Sequence, residues 1–214
     1  MKPYQWAIAG LTLLMTALQP AAAQDALEGD PAAGQAKSAI CAACHGADGN
    51  SVIGEWPKIA GQHEQYLRRH ITLIRDGQRP VAQMAGIVMN LTDQDIADLA
   101  AWFSSQTPAP GVADPALAEA GETLYRAGNP DTGVPACIAC HGPAGKGNPL
   151  TGYPRVAGQH AKYTSDKLKA YRGGAQWGPD DANSAVMVGV AQWLSDAEIE
   201  AVASYIQGLY KAGE

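Results

Sequence analysis

The motif Cys-x-x-Cys-His occurs twice in this chain, at Cys41–His45 and at Cys137–His141. The two copies contain all four cysteines of the 214-residue sequence. This pentapeptide is the attachment signature of c-type haem, in which two thiols bond to the porphyrin and the histidine ligates the iron. The chain is therefore predicted to fold around two covalent haems, and no cysteine is left for a disulfide framework.

Two other uses of paired cysteines fit the sequence less well. A zinc site needs a compact second pair of ligands, but the two cysteine pairs lie in different parts of the chain. A thioredoxin-like dithiol needs a βαβ context, and the apolar residues here follow a helical period. Neither alternative explains why a histidine directly follows both pairs.

Outside the haem motifs the chain is an internal duplication. Each motif is followed by a Pro-x-[Ile/Val]-Ala-Gly-Gln-His segment, then by a Met-x-Gly segment and a Leu-[Thr/Ser]-Asp segment. The matching segments are 57–63 with 154–160, 84–88 with 187–191, and 91–96 with 194–199. A Ser/Pro/Gly-rich stretch at 104–111 is typical of a linker. The repeat predicts two units of one haem each, 24–106 and 116–214, joined by a linker at 107–115.

The coarse pattern within each unit is helix, haem motif, long loop, helix, methionine loop, helix. Ser195 and Glu198 form a capping box before the last helix, and Thr92 with Asp95 is its weaker equivalent in the first unit. Apolar residues at helical spacing predict middle helices around 67–74 and 163–171. No stretch alternates between apolar and polar residues, so we expect an all-α fold with little or no sheet.

The sixth ligand of each iron decides whether a haem binds small molecules or only carries electrons. Met187 is the candidate in the second unit. In the first unit the duplication favours Met84, which lies seven residues before Leu91, as Met187 lies seven before Leu194. Met89 has no methionine counterpart and is interpreted as core filler.

Other residues near the motifs are predicted to play supporting roles. Pro57 and Pro154 follow the two motifs at nearly the same spacing, and each offers a carbonyl that could orient the ligand histidine. Lys58 and Arg155 either meet haem propionates or lie at the surface. The remaining histidines are not expected to ligate iron. We expect structural or surface roles for His63 and His160, and a surface position for His70.

The N-terminus has the features of a cleaved export signal. Lys2 precedes an apolar run at 6–18, and Ala21–Ala23 ends in an A-x-A site. The run is shorter than the ~20 residues that a membrane-spanning helix needs, so an uncleaved anchor is the less favoured alternative. We expect cleavage after Ala23 and a periplasmic protein. The formal net charge of −6, without a basic stripe, argues against nucleic-acid binding.

The two haem motifs, the P-x-[IV]-A-G-Q segments and the M-x-G segments together resemble the di-haem cytochrome c4 family. The resemblance implies two tandem class I cytochrome c domains, each wrapped around one covalent haem c. It also implies a glycine packed on an aromatic residue where the first and last helices cross, with Gly34 and Trp102, and Gly121 and Tyr205, as candidates. The chain departs from a symmetric pair at the longer segment Asn129–Pro135. The resemblance implies thioether links at Cys41, Cys44, Cys137 and Cys140, and axial ligands His45, Met84, His141 and Met187.

Together these features predict an electron carrier that is not itself an enzyme. The resemblance implies a terminal oxidase as acceptor, a quinol-oxidising complex or dehydrogenase as donor, and a loose association with the membrane. One alternative is the cytochrome subunit of a dehydrogenase such as flavocytochrome c. A di-haem peroxidase or thiosulfate dehydrogenase is the less favoured alternative, because it would need an open or labile iron.

Overall fold

The computed structural model describes residues 27–178 and 181–210. Within these ranges the chain forms α-helices, one short 3-10 helix and no strand, which confirms the all-α prediction. None of the helices in this part of the chain has the length and apolar character that crossing a membrane requires. The predicted signal peptide at 1–23, with its cleavage after Ala23, lies outside the described residues.

Within the described residues the α-helices fall into two sets of five, separated by an extended connection over 106–114. The bounds of the two predicted units stay a prediction. The first unit contains α1 (Pro31–Lys37), α2 (Ala39–His45), α3 (Glu64–Arg75), α4 (Ala82–Val88) and α5 (Asp93–Ser105). The second contains α6 (Pro115–Ala127), α7 (Ile138–His141), α8 (Ala161–Arg172), α9 (Ala182–Ala191) and α10 (Asp196–Gly208).

In each unit the first helix crosses the last one at a glycine. A Cβ atom built on Gly34 of α1 would lie 2.0 Å from a backbone oxygen of α5, and one on Gly121 of α6 would lie 2.2 Å from a backbone oxygen of α10. The Cβ atoms of Trp102 and Tyr205 lie beside these glycines. Both predicted glycine–aromatic pairs are confirmed, and the absence of a side chain is what lets the helices approach so closely.

The last helix of each unit forms the core against which the haem motif is placed. In α10, the side chains of Ile199 and Val202 are almost fully buried, and they cluster with Tyr125 of α6. The Tyr125 hydroxyl donates a hydrogen bond of 2.7 Å to the carbonyl of Gly142, directly after the second haem motif. The crossing of the terminal helices therefore also fixes the position of the motif.

Local signals correctly predicted several helices. Both capping boxes are present, from Thr92 and Asp95 at α5 and from Ser195 and Glu198 at α10. The middle helices α3 and α8 also occur where apolar spacing predicted them. Each of these helices carries its own start signal or apolar stripe in the sequence.

The prediction of methionine loops was wrong. Met84 lies inside α4 and Met187 lies inside α9. Most residues of α4 are good helix formers, such as Ala, Gln and Met, and Asp181 caps the start of α9. The helical period was missed because α4 is only seven residues long.

The extra segment before the second haem motif forms a tight turn. Asn129 and Val134 are joined by an isolated antiparallel backbone bridge. The Asn129 side-chain amide donates a hydrogen bond of 2.7 Å to Glu198 at the start of α10. The insertion is thus attached to the capping box of the last helix.

Candidate haem sites

Both haem motifs lie on short helices that end at their histidine. In the first unit both cysteines of the motif and His45 are part of α2, and in the second unit α7 begins after Cys137 and ends at His141. Helical spacing places residues three apart on the same side of a helix. The two thiols of each motif can therefore face one porphyrin edge.

The cysteines do not have the properties of a redox dithiol. None of the four forms a disulfide, and all are half-buried. Burial raises the pKa of the Cys41 thiol to about 11 and that of Cys137 to about 11, whereas a reactive dithiol has a lowered pKa. Among the described residues, no group of three or more His, Cys, Asp or Glu side chains could hold a metal ion. The raised pKa values disfavour the thioredoxin-like interpretation.

The two motif histidines have the same environment. Nδ1 of His45 lies 2.9 Å from the carbonyl oxygen of Pro57, and Nδ1 of His141 lies 3.0 Å from that of Pro154. Burial lowers the pKa of both rings, although the hydrogen bond to the carbonyl acts in the opposite direction. A neutral ring that donates from Nδ1 has its Nε2 lone pair available for a metal.

The methionines differ in exposure. Met84 and Met187 are half-buried, whereas Met89 is 62% exposed at the end of α4. Exposure of Met89 contradicts its interpretation as core filler. A thioether that closes a haem face has to be held inside the protein, so this difference favours Met84 over Met89 in the first unit.

Buried donors without a partner among the described residues fit the carboxylates of a haem. Arg79 is 8% exposed, and its Nε makes no hydrogen bond. Its guanidinium carbon lies 5.4 Å from the ring centroid of Trp177, whose Nε1 is also buried without a partner. A buried donor without an acceptor is costly, and haem propionates are acceptors. The cysteine pairs, the neutral histidines and these donors together fit two covalently attached haems.

Lys58 has a role that the sequence did not indicate. Its ammonium group donates a hydrogen bond of 3.0 Å to the carbonyl of Ala109 in the connection between the units. Burial lowers the pKa of Lys58. The Lys58 side chain thus connects the first unit to the connecting segment by a hydrogen bond.

Two glutamines join the units by a reciprocal pattern that sequence reasoning missed. Oε1 of Gln62 accepts from the backbone N–H of Arg155 at 2.9 Å, and its Nε2 donates to the carbonyl of Arg155 at 2.8 Å. Gln159 makes the same pair of bonds with the backbone of Lys58, at 2.9 and 2.8 Å. The only signal in the sequence was that both glutamines recur at the same place in the repeat.

The remaining histidines also lie at or near the boundary between the units. Nε2 of His63 lies 2.8 Å from the carbonyl oxygen of Lys146, and Nε2 of His160 lies 2.8 Å from that of Ser51. These contacts agree with the structural roles expected for both. His70 is half-buried and not at the open surface as predicted. Its ring packs against Tyr66 at a tilt of 59° with centroids 4.2 Å apart, and burial lowers its pKa to about 3.

Comparison with known proteins agrees with this architecture. The cytochrome c family model matches residues 31–107 and 118–210. Cytochrome c4 from Azotobacter vinelandii is 48% identical over 209 residues, which covers 94% of this chain and 96% of that protein. The chain belongs to the cytochrome c4 family. As a cytochrome c4 it is a di-haem c-type electron-transfer protein, with one cytochrome c domain in each unit.

Two further comparisons extend this result. The crystal structure of reduced recombinant cytochrome c4 from Pseudomonas stutzeri matches with a TM-score of 0.81 and 48% identity, and covers 85% of this chain and 100% of that chain. A protein named thiosulfate dehydrogenase electron acceptor, from Stutzerimonas stutzeri strain A1501, is 34% identical over 211 residues and covers 96% of this chain and 95% of that protein. The similarity thus extends over nearly the whole length of a relative that is named as an electron acceptor of thiosulfate dehydrogenase.

Proposed function

We propose that this cytochrome c4 is a periplasmic electron carrier with two six-coordinate haems. The repeated contact between a buried motif histidine and a proline carbonyl, at 2.9 Å and 3.0 Å, carries this proposal. His45 and Met84 would ligate the first iron, and His141 and Met187 would ligate the second. The thioether links are formed by Cys41, Cys44, Cys137 and Cys140.

Residues of the protein would hold the iron ligands in place during electron transfer. When bound, each haem supplies one-electron chemistry between the ferric and ferrous states. The carbonyls of Pro57 and Pro154 hold the histidine rings in one orientation. Met84 and Met187 would each supply a thioether to an iron, which would raise the reduction potential and exclude small molecules. The transfer is therefore outer-sphere, with little rearrangement of the protein.

The proposed partners are membrane-bound redox complexes. Electrons enter from a quinol-oxidising complex or a dehydrogenase and leave to a terminal oxidase, with the protein loosely associated with the membrane. The family resemblance supports this assignment. Two haems in one molecule allow entry through one unit and exit through the other.

The second candidate is a thiosulfate dehydrogenase as the sole donor, because a relative is named for accepting electrons from thiosulfate dehydrogenase. The oxidised protein would be mixed separately with a purified thiosulfate dehydrogenase plus thiosulfate and with a quinol-oxidising complex plus quinol. Fast reduction by the first mixture alone would support the dehydrogenase role. Fast reduction by the second, followed by oxidation by terminal-oxidase membranes, supports the proposed pathway.

The ligand assignment is tested by adding carbon monoxide to the reduced holoprotein. We expect no change in the optical spectrum, because both irons are closed. Met84→Ala and Met187→Ala should each let about half of the haem bind the gas, since each opens one of two sites. Met89→Ala is the matched control and should behave like the wild type. Binding of the gas by half of the wild-type haem would contradict the proposal and favour an enzyme with one labile iron.

A further inference from the structure

The helix that carries Met187 begins at a buried carboxylate. Oδ1 of Asp181 accepts a hydrogen bond of 3.1 Å from the backbone N–H of Ser184, and Oδ2 accepts one of 2.8 Å from that of Trp177. The side chain of Asp181 is only 2% exposed. A side-chain cap of this kind determines where a helix starts. One residue thus fixes the first turn of α9.

The same carboxylate is paired with the other unit. Nη2 of Arg69, on α3 of the first unit, lies 2.8 Å from Oδ1 of Asp181. Burial raises the pKa of Asp181, but the hydrogen bonds from Ser184 and Trp177 and the charge of Arg69 together hold the pKa below its usual value. Asp181 is therefore ionised, and a buried charge that loses its partner is strongly destabilised.

In the part of the chain that the structure describes, the first unit has no equivalent arrangement. Helix α4, which carries Met84, begins at Val81 without a side-chain cap. The described ion pairs of the second unit include no contact to α4. Among the described ion pairs, the one between Arg69 and Asp181 thus connects α9 to the opposite unit, and none connects α4.

We propose that Arg69 is a positioning residue for Met187, so that the first unit sets how firmly the second haem keeps its methionine. The inference rests on the proposed function, in which Met187 ligates the second iron. Loss of the ion pair leaves the Asp181 charge uncompensated and loosens the first turn of α9. The second haem would then lose its methionine more easily, and its potential would fall, because methionine ligation raises the potential.

The test uses Arg69→Met in the full-length holoprotein. Imidazole, which competes with methionine for ferric haem, is titrated while each haem is followed separately by NMR. The shifted haem methyl signals of the oxidised protein report on the titration, and the methionine methyl signals of the reduced protein identify the ligands. Both sets are assigned with Met84→Ala and Met187→Ala. We expect about tenfold tighter imidazole binding at the second haem, which corresponds to about 1.4 kcal/mol, and no change at the first. Arg69→Lys should restore most of the wild-type behaviour.

A matched control is available on the same helix. Arg68 contacts Glu64 at 3.6 Å and the carbonyl of Leu27, both in the first unit, so Arg68→Met should leave the second haem unchanged. Asp181→Asn removes the charge but keeps an oxygen acceptor. In the Asp181→Asn background, Arg69→Met should have little further effect.

Two results would overturn the inference: an unchanged imidazole affinity at the second haem of Arg69→Met, or an equal change at both haems. A further loosening by Arg69→Met in the Asp181→Asn background would also overturn it. Failure of the proposed ligation is a separate result. In that case the wild-type protein itself would lack a haem-shifted methyl signal from Met187.

Discussion

A single buried carboxylate holds the N-terminal helix of the first unit in place. Asp98 of α5 is 3% exposed. It accepts hydrogen bonds from the ammonium of Lys37 at 2.7 Å, from the Asp30 backbone N–H at 3.0 Å and from the Gln94 amide at 2.8 Å. The Lys37 bond, followed by those from Asp30 and Gln94, lowers the pKa of Asp98 below its ordinary value of 3.8. The start of α1 therefore depends on an ionised side chain.

Replacing Asp98 should destabilise the protein in a pH-dependent way. We expect Asp98→Ala to lower the free energy of unfolding by about 1–2 kcal/mol near neutral pH, because three partly exposed donors lose their acceptor. Asp98→Asn keeps one acceptor and should cost less. Because the folded pKa is lowered, the charge stabilises the protein above about pH 4, and this contribution is lost as the pH falls towards the folded pKa.

Guanidinium chloride unfolding of the holoprotein at a series of pH values measures this effect. The difference between wild type and Asp98→Asn should shrink as the solution becomes acidic. A difference that stays constant over the whole series would contradict a role for the charge of Asp98.

At the scale of the helix, the close approach of the first and last helices at the glycine crossings determines how each unit packs. We predict that Gly121→Ala lowers the free energy of unfolding by about 2–3 kcal/mol, because its Cβ would lie 2.2 Å from the Ala201 carbonyl oxygen. Neighbouring Ala120 is exposed on the same helix, so Ala120→Val should cost less than about 1 kcal/mol through helix propensity alone. Thermal unfolding followed by far-UV circular dichroism compares the two. Equal losses would show that the crossing tolerates a methyl group.

The helices that could be predicted from sequence are those with local signals. Capping boxes at Thr92 and Ser195 predicted the last helices, and a family resemblance predicted the glycine crossings. The helices that carry Met84 and Met187 were missed, because α4 is short and has no side-chain cap and α9 contains several Val residues and a Gly. The cap of α9 is the local bond from the Ser184 N–H to Asp181. A local pattern contains no information about the ion pair between Asp181 and Arg69 of the other unit.

At the scale of the whole molecule, the duplication predicted two similar units but not how they meet. The motif histidines and prolines could be located because each role depends on nearby residues. Gln62 and Gln159 bond to backbone groups of the opposite unit, so their role depends on docking. The reciprocal contacts resemble those of a two-fold symmetric dimer, in which the same surface is used by both partners. The two units of this single chain therefore contact each other through the same kind of interface as the two subunits of a symmetric dimer.

This interface should make the two units unfold together. Gln62→Ala and Gln159→Ala each leave one backbone N–H and one carbonyl without a side-chain partner, and we expect each to cost about 1–3 kcal/mol. In the double variant the units should lose their coupling, so a single calorimetric transition in the wild type becomes two. Gln65→Ala, at an exposed position of α3, is the matched control and should change stability by less than about 0.5 kcal/mol. If the double variant still unfolded in one transition, the glutamine bonds would not be what couples the units, and the contacts of His63 and His160 across the same boundary would be the next to remove.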